Sequence, residues 1–324
     1  MSARTPASAT DAGVDAAAPP SLPRSNQNQN QNQKAPSLSD VLAAAPSRAD
    51  AFLGHLVRCM QTRAGAETVL LFACYVSRLT GSVLEGVGAA AIRHSARRLV
   101  SLAFKLPPAT TVVMSSAAAA PQPALAALAL RVGGRFKALA AMISETRTMG
   151  RLWGLLGLYF AAKRLVLKSS SRAAASKHGE AQAEGDSSEA LFDTLVAHAQ
   201  VASLVVYQAS ENVAFLSSKK VLPCAPATQA RLSLLSVRAW GLYVAMEGAR
   251  LLVERSRRMT SGLAAKDAEW AAAWNKSFYR NLAWAPLTVH WGSTTGGFLP
   301  DIVISLLAMY PSSGAMVDLW RSTA

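Results

Sequence analysis

Residues 282–317 carry a single charged side chain, Asp301. A stretch that poor in charge is not the solvated face of an ordinary domain; it belongs inside protein or inside lipid. Crossing a bilayer takes about 20 mostly apolar residues. Here Gly292-Ser293-Thr294-Thr295-Gly296-Gly297 interrupts the run, and Pro286, Pro300 and Pro311 punctuate it. The apolar run at 302–310 is too short by itself. The pattern predicts a membrane-embedded helix or a re-entrant hairpin rather than one clean span. Gly292 and Gly296 form a GxxxG, a spacing that permits close helix approach. Trp270, Trp274, Trp284 and Trp291 lie in or beside this region and suit either an interfacial belt or packed core.

The second constraint lies at residues 130–168. Val132, Phe136, Leu139 and Ile143 fall at i, i+4, i+7 and i+11, one narrow stripe of a helix. Arg131, Arg135, Lys137, Arg147 and Arg151 lie off that stripe, and Glu145 is the only acid in the segment. A nearly acid-free basic amphipathic helix suits an anionic membrane surface. An apolar continuation at 152–162 includes Trp153 and leads to Lys163, Arg164 and Lys168. Its length is too short to span, so the segment is expected to lie in the interface. The candidate membrane-binding residues are therefore Arg131, Val132, Arg135, Phe136, Lys137, Leu139, Ile143, Arg147, Arg151 and Trp153.

Composition narrows the partner. Lys and Arg outnumber Asp and Glu by 33 to 19, a net charge of +14. Such a balance points to nucleic acid, an anionic membrane or an acidic partner. Only 16% of residues are charged, against about 25% in a typical soluble protein. That low fraction and a positive mean hydropathy favour anionic membrane lipids and speak against nucleic acid. Cys59, Cys74 and Cys224 form no CxxC and no disulfide framework, so a reducing face is expected. Residues 1–47 are rich in Ala, Ser and Pro, with an Asn/Gln repeat at 26–33, and are expected to be a disordered tail. They show no secretory h-region. Asp11 and Asp15 argue against a transit peptide despite Arg4 and Arg24. The closing Ser322-Thr323-Ala324 is not the SKL-type matrix address.

Apolar residues recur at helical spacing and no strand alternation stands out. The expected fold is all-α: a membrane-associated helical bundle with a basic amphipathic helix and apolar C-terminal membrane-embedded helices. After the tail, Ser39 would cap a short helix that Pro46 interrupts. N-terminal helices occupy 48–105, divided at Gly65, with Arg93, Arg97 and Arg98 in a third piece. A Pro/Ala-rich linker follows at 106–124, the amphipathic segment at 125–168 and a polar linker at 169–187. Residues 188–258 read as a helical hairpin turned at Pro223 and Pro226, and 259–324 as the apolar C-terminal region.

Catalytic chemistry is hard to place. There is no GxSxG, HExxH, Walker loop or GxGxxG, and the five histidines stand in separate segments. No enzyme, cofactor or metal site is expected. His55 and Cys59 are four apart and read as core packing. Gly133-Gly134 reads as local flexibility. Glu211 and Asn212 follow an uncharged helical run at 194–209. They are either a buried acid on a membrane pathway or a polar pair in a helix-packing seam.

Three stretches stand in a telling order. The first is Gly65-Ala66-Glu67-Thr68-Val69-Leu70 with Tyr75 and Arg78-Leu79. The second is Ile143-Ser144-Glu145-Thr146-Arg147 with Arg151-Leu152-Trp153-Gly154-Leu155-Leu156. The third is Tyr207-Gln208, Glu211-Asn212-Val213-Ala214 and Leu216-Ser217-Ser218-Lys219. Together they resemble the peroxin-11 family of peroxisomal membrane proteins. The resemblance makes Tyr207, Glu211 and Asn212 signature residues. It implies a protein that inserts an amphipathic helix into the cytosolic leaflet, elongates peroxisomes and self-associates. It also implies recruitment of the fission machinery, a dynamin-related GTPase and its membrane adaptor. Some members have been proposed to form pores for small metabolites. The Asn/Gln-rich tail, the insertion at 106–123 and the poorly bounded C-terminal span depart from the family pattern. Two other readings stay open: a peroxisomal membrane channel or carrier with its path near Asp301, and a soluble all-α adaptor.

Overall fold

The computed structural model describes residues 38–105, 107, 121–177, 184–260 and 267–324. Residues 1–37 of the expected tail and most of the 106–124 linker lie outside the described residues, whereas 38–47, expected as tail, are helical. Among the described residues there are eight helices and no strand, so the fold is all-α. They are α1 (Leu38–Met60), α2 (Arg63–Lys105), α3 (Pro121–Arg151), α4 (Gly154–Lys177), α5 (Glu184–Ser218), α6 (Pro226–Thr260), α7 (Ala268–Gly292) and α8 (Asp301–Ser322). The chain divides into two compact units, Met1–Asp50 and Ala51–Ala324. The described part of the first is helical, and the second holds all that follows.

Several boundaries differ from expectation. Helix α1 runs through Pro46, because one proline removes one ladder bond without forbidding the helical φ. The expected third N-terminal piece is part of α2, whose start is capped at Thr62, where Oγ1 accepts from the Gly65 N–H at 3.0 Å. Residues 121–124 are already helical, with Pro121 at the first position, where its missing N–H costs nothing. Helix α4 continues through the polar sequence to Lys177; Ser169, Ser170 and Ser171 each donate to the carbonyl four residues back. The basic segment is two helices, since α3 stops at Arg151 and α4 restarts at Gly154.

Within the second unit the helices in contact follow the order α3, α2, α8, α7, α6, α5, and α3 also touches α5. Helix α4 packs mainly on α5. The α2–α3 seam is antiparallel and repeats every seven residues. Glu67 meets Arg147, and the Cys74 thiol donates to Ala140 O. A Cβ on Gly81 would stand 2.8 Å from Gly133 O, and one on Gly88 would stand 3.0 Å from Ala126 O. Gly133 is thus a seam residue rather than a flexible point. The same device joins α6 to α7, where Gly241 faces Thr288, Gly248 faces Asn281 and Arg255 lies over Trp274. The GxxxG at 292 and 296 makes no helix contact of that kind: Gly292 ends α7 and Gly296 sits in a loop with φ +89°.

Small and polar side chains fill the seams; Ser82, Ser203, Ser236, Ser305 and Ser312 are all buried. Large apolar ones such as Val87, Leu195, Leu242, Leu282 and Leu306 face outward. Lipid provides no hydrophobic force between helices, so close packing by small residues takes over. Among the described residues, three stretches are long and apolar enough to cross a membrane: Arg63–Ser101, Glu189–Ser218 and Asp301–Ser322. The last corrects the expectation of a run too short at 302–310, because α8 passes through Pro311. Beside that proline, Ser312 donates to Met309 O and Ser313 to Tyr310 O.

The tryptophans of α7 are packed between helices. Trp274 donates to Leu251 O at 2.8 Å and Trp270 to Glu254 at 3.1 Å, while Trp284 and Trp291 pack on Trp240. Tyr75, Leu287, Ile304 and Ala308 form the buried cluster of α2, α7 and α8.

The α5–α6 hairpin turns through a helix stop read at Lys220, whose φ is 59°. The Val221 N–H bonds to Leu216 O and the Lys220 N–H to Ser217 O, a Schellman motif that normally carries glycine. Lys220→Gly is expected to stabilise the protein by about 1 kcal/mol, because a Cβ is penalised in this region. A higher unfolding midpoint in detergent micelles checks it.

Candidate membrane-contact surface

The ten residues chosen from the sequence fall into three groups. Lys137, Arg147 and Arg151 turn inward. Lys137 Nζ lies 2.5 Å from Glu85 and 2.7 Å from Asp301. Arg147 pairs with Glu67 at 2.8 Å and Arg151 with Glu211 at 2.9 Å. Burial alone would lower the Lys137 pKa, but the bonds to Asp301 and Glu85 more than reverse this and hold it above the ordinary lysine value. These three cations are engaged inside the bundle rather than at headgroups. Their acids stand on α2, α5 and α8, so no local pattern announces them.

The stripe is the second group. Val132, Phe136 and Ile143 are half-buried, and Leu139 is 39% exposed. The face that packs on α2 is instead Ala126, Gly133, Ala140 and Arg147.

The third group remains outside. Arg131 and Arg135 are exposed on α3, and Arg93, Arg97 and Arg98 are exposed on α2. No acid follows Glu85 in α2, and none precedes Glu145 in α3. Val87, Leu99, Phe104 and Leu128 are exposed among these arginines. Trp153 is 68% exposed and begins a second such surface. There α4 shows Leu156, Tyr159, Phe160, Val166 and Leu167, flanked by exposed Lys163, Arg164 and Lys168. Of this run, the sequence pattern selects only Trp153 as a contact residue. The signal was present in the basic cluster Lys163, Arg164 and Lys168 that follows an apolar, aromatic turn.

The signature residues converge on the end of α3. Tyr207 donates to Glu211 at 3.4 Å, Gln208 to Asn212 Oδ1 at 2.8 Å, and Asn212 to Leu152 O at 3.2 Å. Glu211 and Asn212 are therefore a polar pair in a packing seam.

A cavity of about 600 Å³ opens between α2, α3, α5 and α8, lined in part by Arg78, Lys137, Ser144, Thr148, Ser218 and Asp301. Asp301 accepts from Arg78 at 2.6 Å and from Ser82 at 2.9 Å, besides Lys137. Elsewhere His55 and Cys59 both meet the Thr323 hydroxyl at 3.1 Å, which accounts for them as packing. Among the described residues no group of three or more His, Cys, Asp or Glu is placed to hold a metal.

The class these features define is a membrane protein, with three helices long and apolar enough to span among the described residues. Comparison of the chain with protein-family models, curated proteins and solved structures found no match.

Proposed function

We propose that this chain is a peroxisomal membrane protein that curves and elongates its membrane by seating an amphipathic segment in one leaflet, and so promotes peroxisome proliferation and fission. The observation that carries the reading is the exposed run at 153–168. It places five large apolar side chains besides Trp153 next to three lysines and arginines on a helix that packs mainly on α5. Seating that face in lipid expands one leaflet and favours positive curvature. Each large apolar side chain buried in this way contributes roughly 1.5–3 kcal/mol. Each basic residue at an anionic surface adds about 1 kcal/mol. The organelle, self-association and recruitment of a fission GTPase with its adaptor rest on the ordered resemblance to peroxin-11 proteins.

The full-length protein in vesicles containing anionic phospholipid is expected to draw them into tubules visible by electron microscopy. Tyr159→Glu with Phe160→Glu should abolish tubulation and leave the helical circular dichroism unchanged, because both rings are exposed. Equal tubulation by the double variant would sink the mechanism.

The cavity beside Asp301 favours a second reading, a channel or carrier for small polar solutes. Intramembrane charges that line a cavity commonly mark such paths. Conductance of the purified protein across planar bilayers separates the two.

A further inference from the structure

The break between α3 and α4 is where backbone groups lose their helical partners. Helix ends leave carbonyls unpaired, and in apolar surroundings each unpaired group is costly. Three carbonyls of this break accept from distant helices, one of them, Trp153 O, in addition to the Leu156 N–H at 3.3 Å. Arg63, the first residue of α2, donates from Nη2 to Gly150 O at 3.1 Å and from Nη1 to Trp153 O at 3.2 Å. Asn212 of α5 donates from Nδ2 to Leu152 O at 3.2 Å. The bond from Gln208 to Asn212 Oδ1 orients that amide, leaving its nitrogen for Leu152. Arg151, inside the joint, reaches Glu211. Gly154 approaches so closely that a Cβ there would stand 2.8 Å from Gln208 Oε1. Five side chains from α2, α3 and α5 thus converge on residues 150–154.

We infer that Arg63, Asn212 and the Arg151–Glu211 pair are positioning residues that fix the direction in which α4 leaves α3, and with it the plane in which the exposed face of α4 meets lipid. This rests on the reading of α4 as the lipid-contacting surface. Arg63 is an exposed side chain whose guanidinium fork spans the joint, so its placement serves the joint and not a hydrophobic core. A cation is also favoured there by the dipole at the end of α3. Helix α4 is held at its far end by α5, where Ser169 meets His198 at 3.4 Å, and at its near end by the joint. It packs on α5 and makes slight contact with α3. The joint therefore sets the near end of α4, where Tyr159 and Phe160 lie within two turns of the break.

The test is hydrogen exchange on the full-length protein in detergent micelles, where vesicle shape plays no part. With Arg63→Ala, amides at 154–168 are expected to exchange roughly tenfold faster, the effect of losing charge-assisted bonds to two carbonyls. Amides in the α5–α6 hairpin should keep their wild-type rates. Arg63→Lys, which keeps the charge but lacks the planar fork, should fall between. Asn212→Leu should loosen the same amides, which provides a second variant should the first fold poorly. Wild-type exchange at 154–168 in both variants overturns the inference. So does equal acceleration in every helix, which would mean that these residues support the fold in general. A loosened α4 together with a wild-type protein that leaves vesicles round would keep the joint and discard the proposed curvature function.

Discussion

Gly81→Leu is expected to pry α2 from α3 and destabilise the protein by about 3 kcal/mol or more, the upper range for overpacking. A Cβ at this position would stand 2.8 Å from Gly133 O and 3.1 Å from the Lys137 nitrogen, and both are backbone atoms of a helix that cannot yield separately. The loss should extend to Lys137, whose bonds to Glu85 and Asp301 require the present spacing. Gly86, five residues along the same helix, is the control. It is exposed and nothing lies within 4 Å of its Cβ position, so Gly86→Ala should be neutral or stabilising by up to about 1 kcal/mol. Unfolding midpoints in detergent compare the two, and equal midpoints would refute the seam.

Asp301→Ala is the second large effect. The carboxylate receives Arg78 through Nε and Nη2, the Ser82 hydroxyl and Lys137. Removing it leaves two cations together with only Glu85 to share. Deleting one partner of a fully buried pair costs about 3–5 kcal/mol. Asp301 is 38% exposed, so solvent screening brings the expected loss to about 2 kcal/mol. The same variant reconstituted in planar bilayers examines the channel reading: a conductance that Asp301 shapes should change its ion selectivity.

The helices themselves were legible. The uncharged run at 194–209 lies within α5, and Pro223 and Pro226 mark the turn into α6. Prolines within helices were not legible at Pro46 and Pro311, because proline reads as a helix breaker although it removes only one ladder bond. The face by which α3 packs on α2 was not legible, for a physical reason. Valine, phenylalanine, leucine and isoleucine define the obvious stripe, but helices in an apolar setting approach through glycine and alanine. Ala126, Gly133 and Ala140 carry little hydrophobic weight and yet form the seam. The inward turn of Lys137, Arg147 and Arg151 was hidden for another reason. Each is paired with an acid on a different helix, and composition over a window cannot show a partner so distant in the chain.

The spacing of the α2–α3 seam has one more consequence. Small residues seven apart on both helices would also face each other after a slide of one repeat, about 10 Å along the axis. In one such slide Gly81 meets Ala126; in the other it meets Ala140. Packing alone therefore distinguishes poorly among three alignments of the hairpin. The slides differ in what they do to charge: Glu67 would face Ala140 or Gly154, and Arg147 would lose its acid. The Glu67–Arg147 pair thus serves as a registration mark that selects one alignment from a set of near-equals, the role for which a polar residue in a helical interface is best attested.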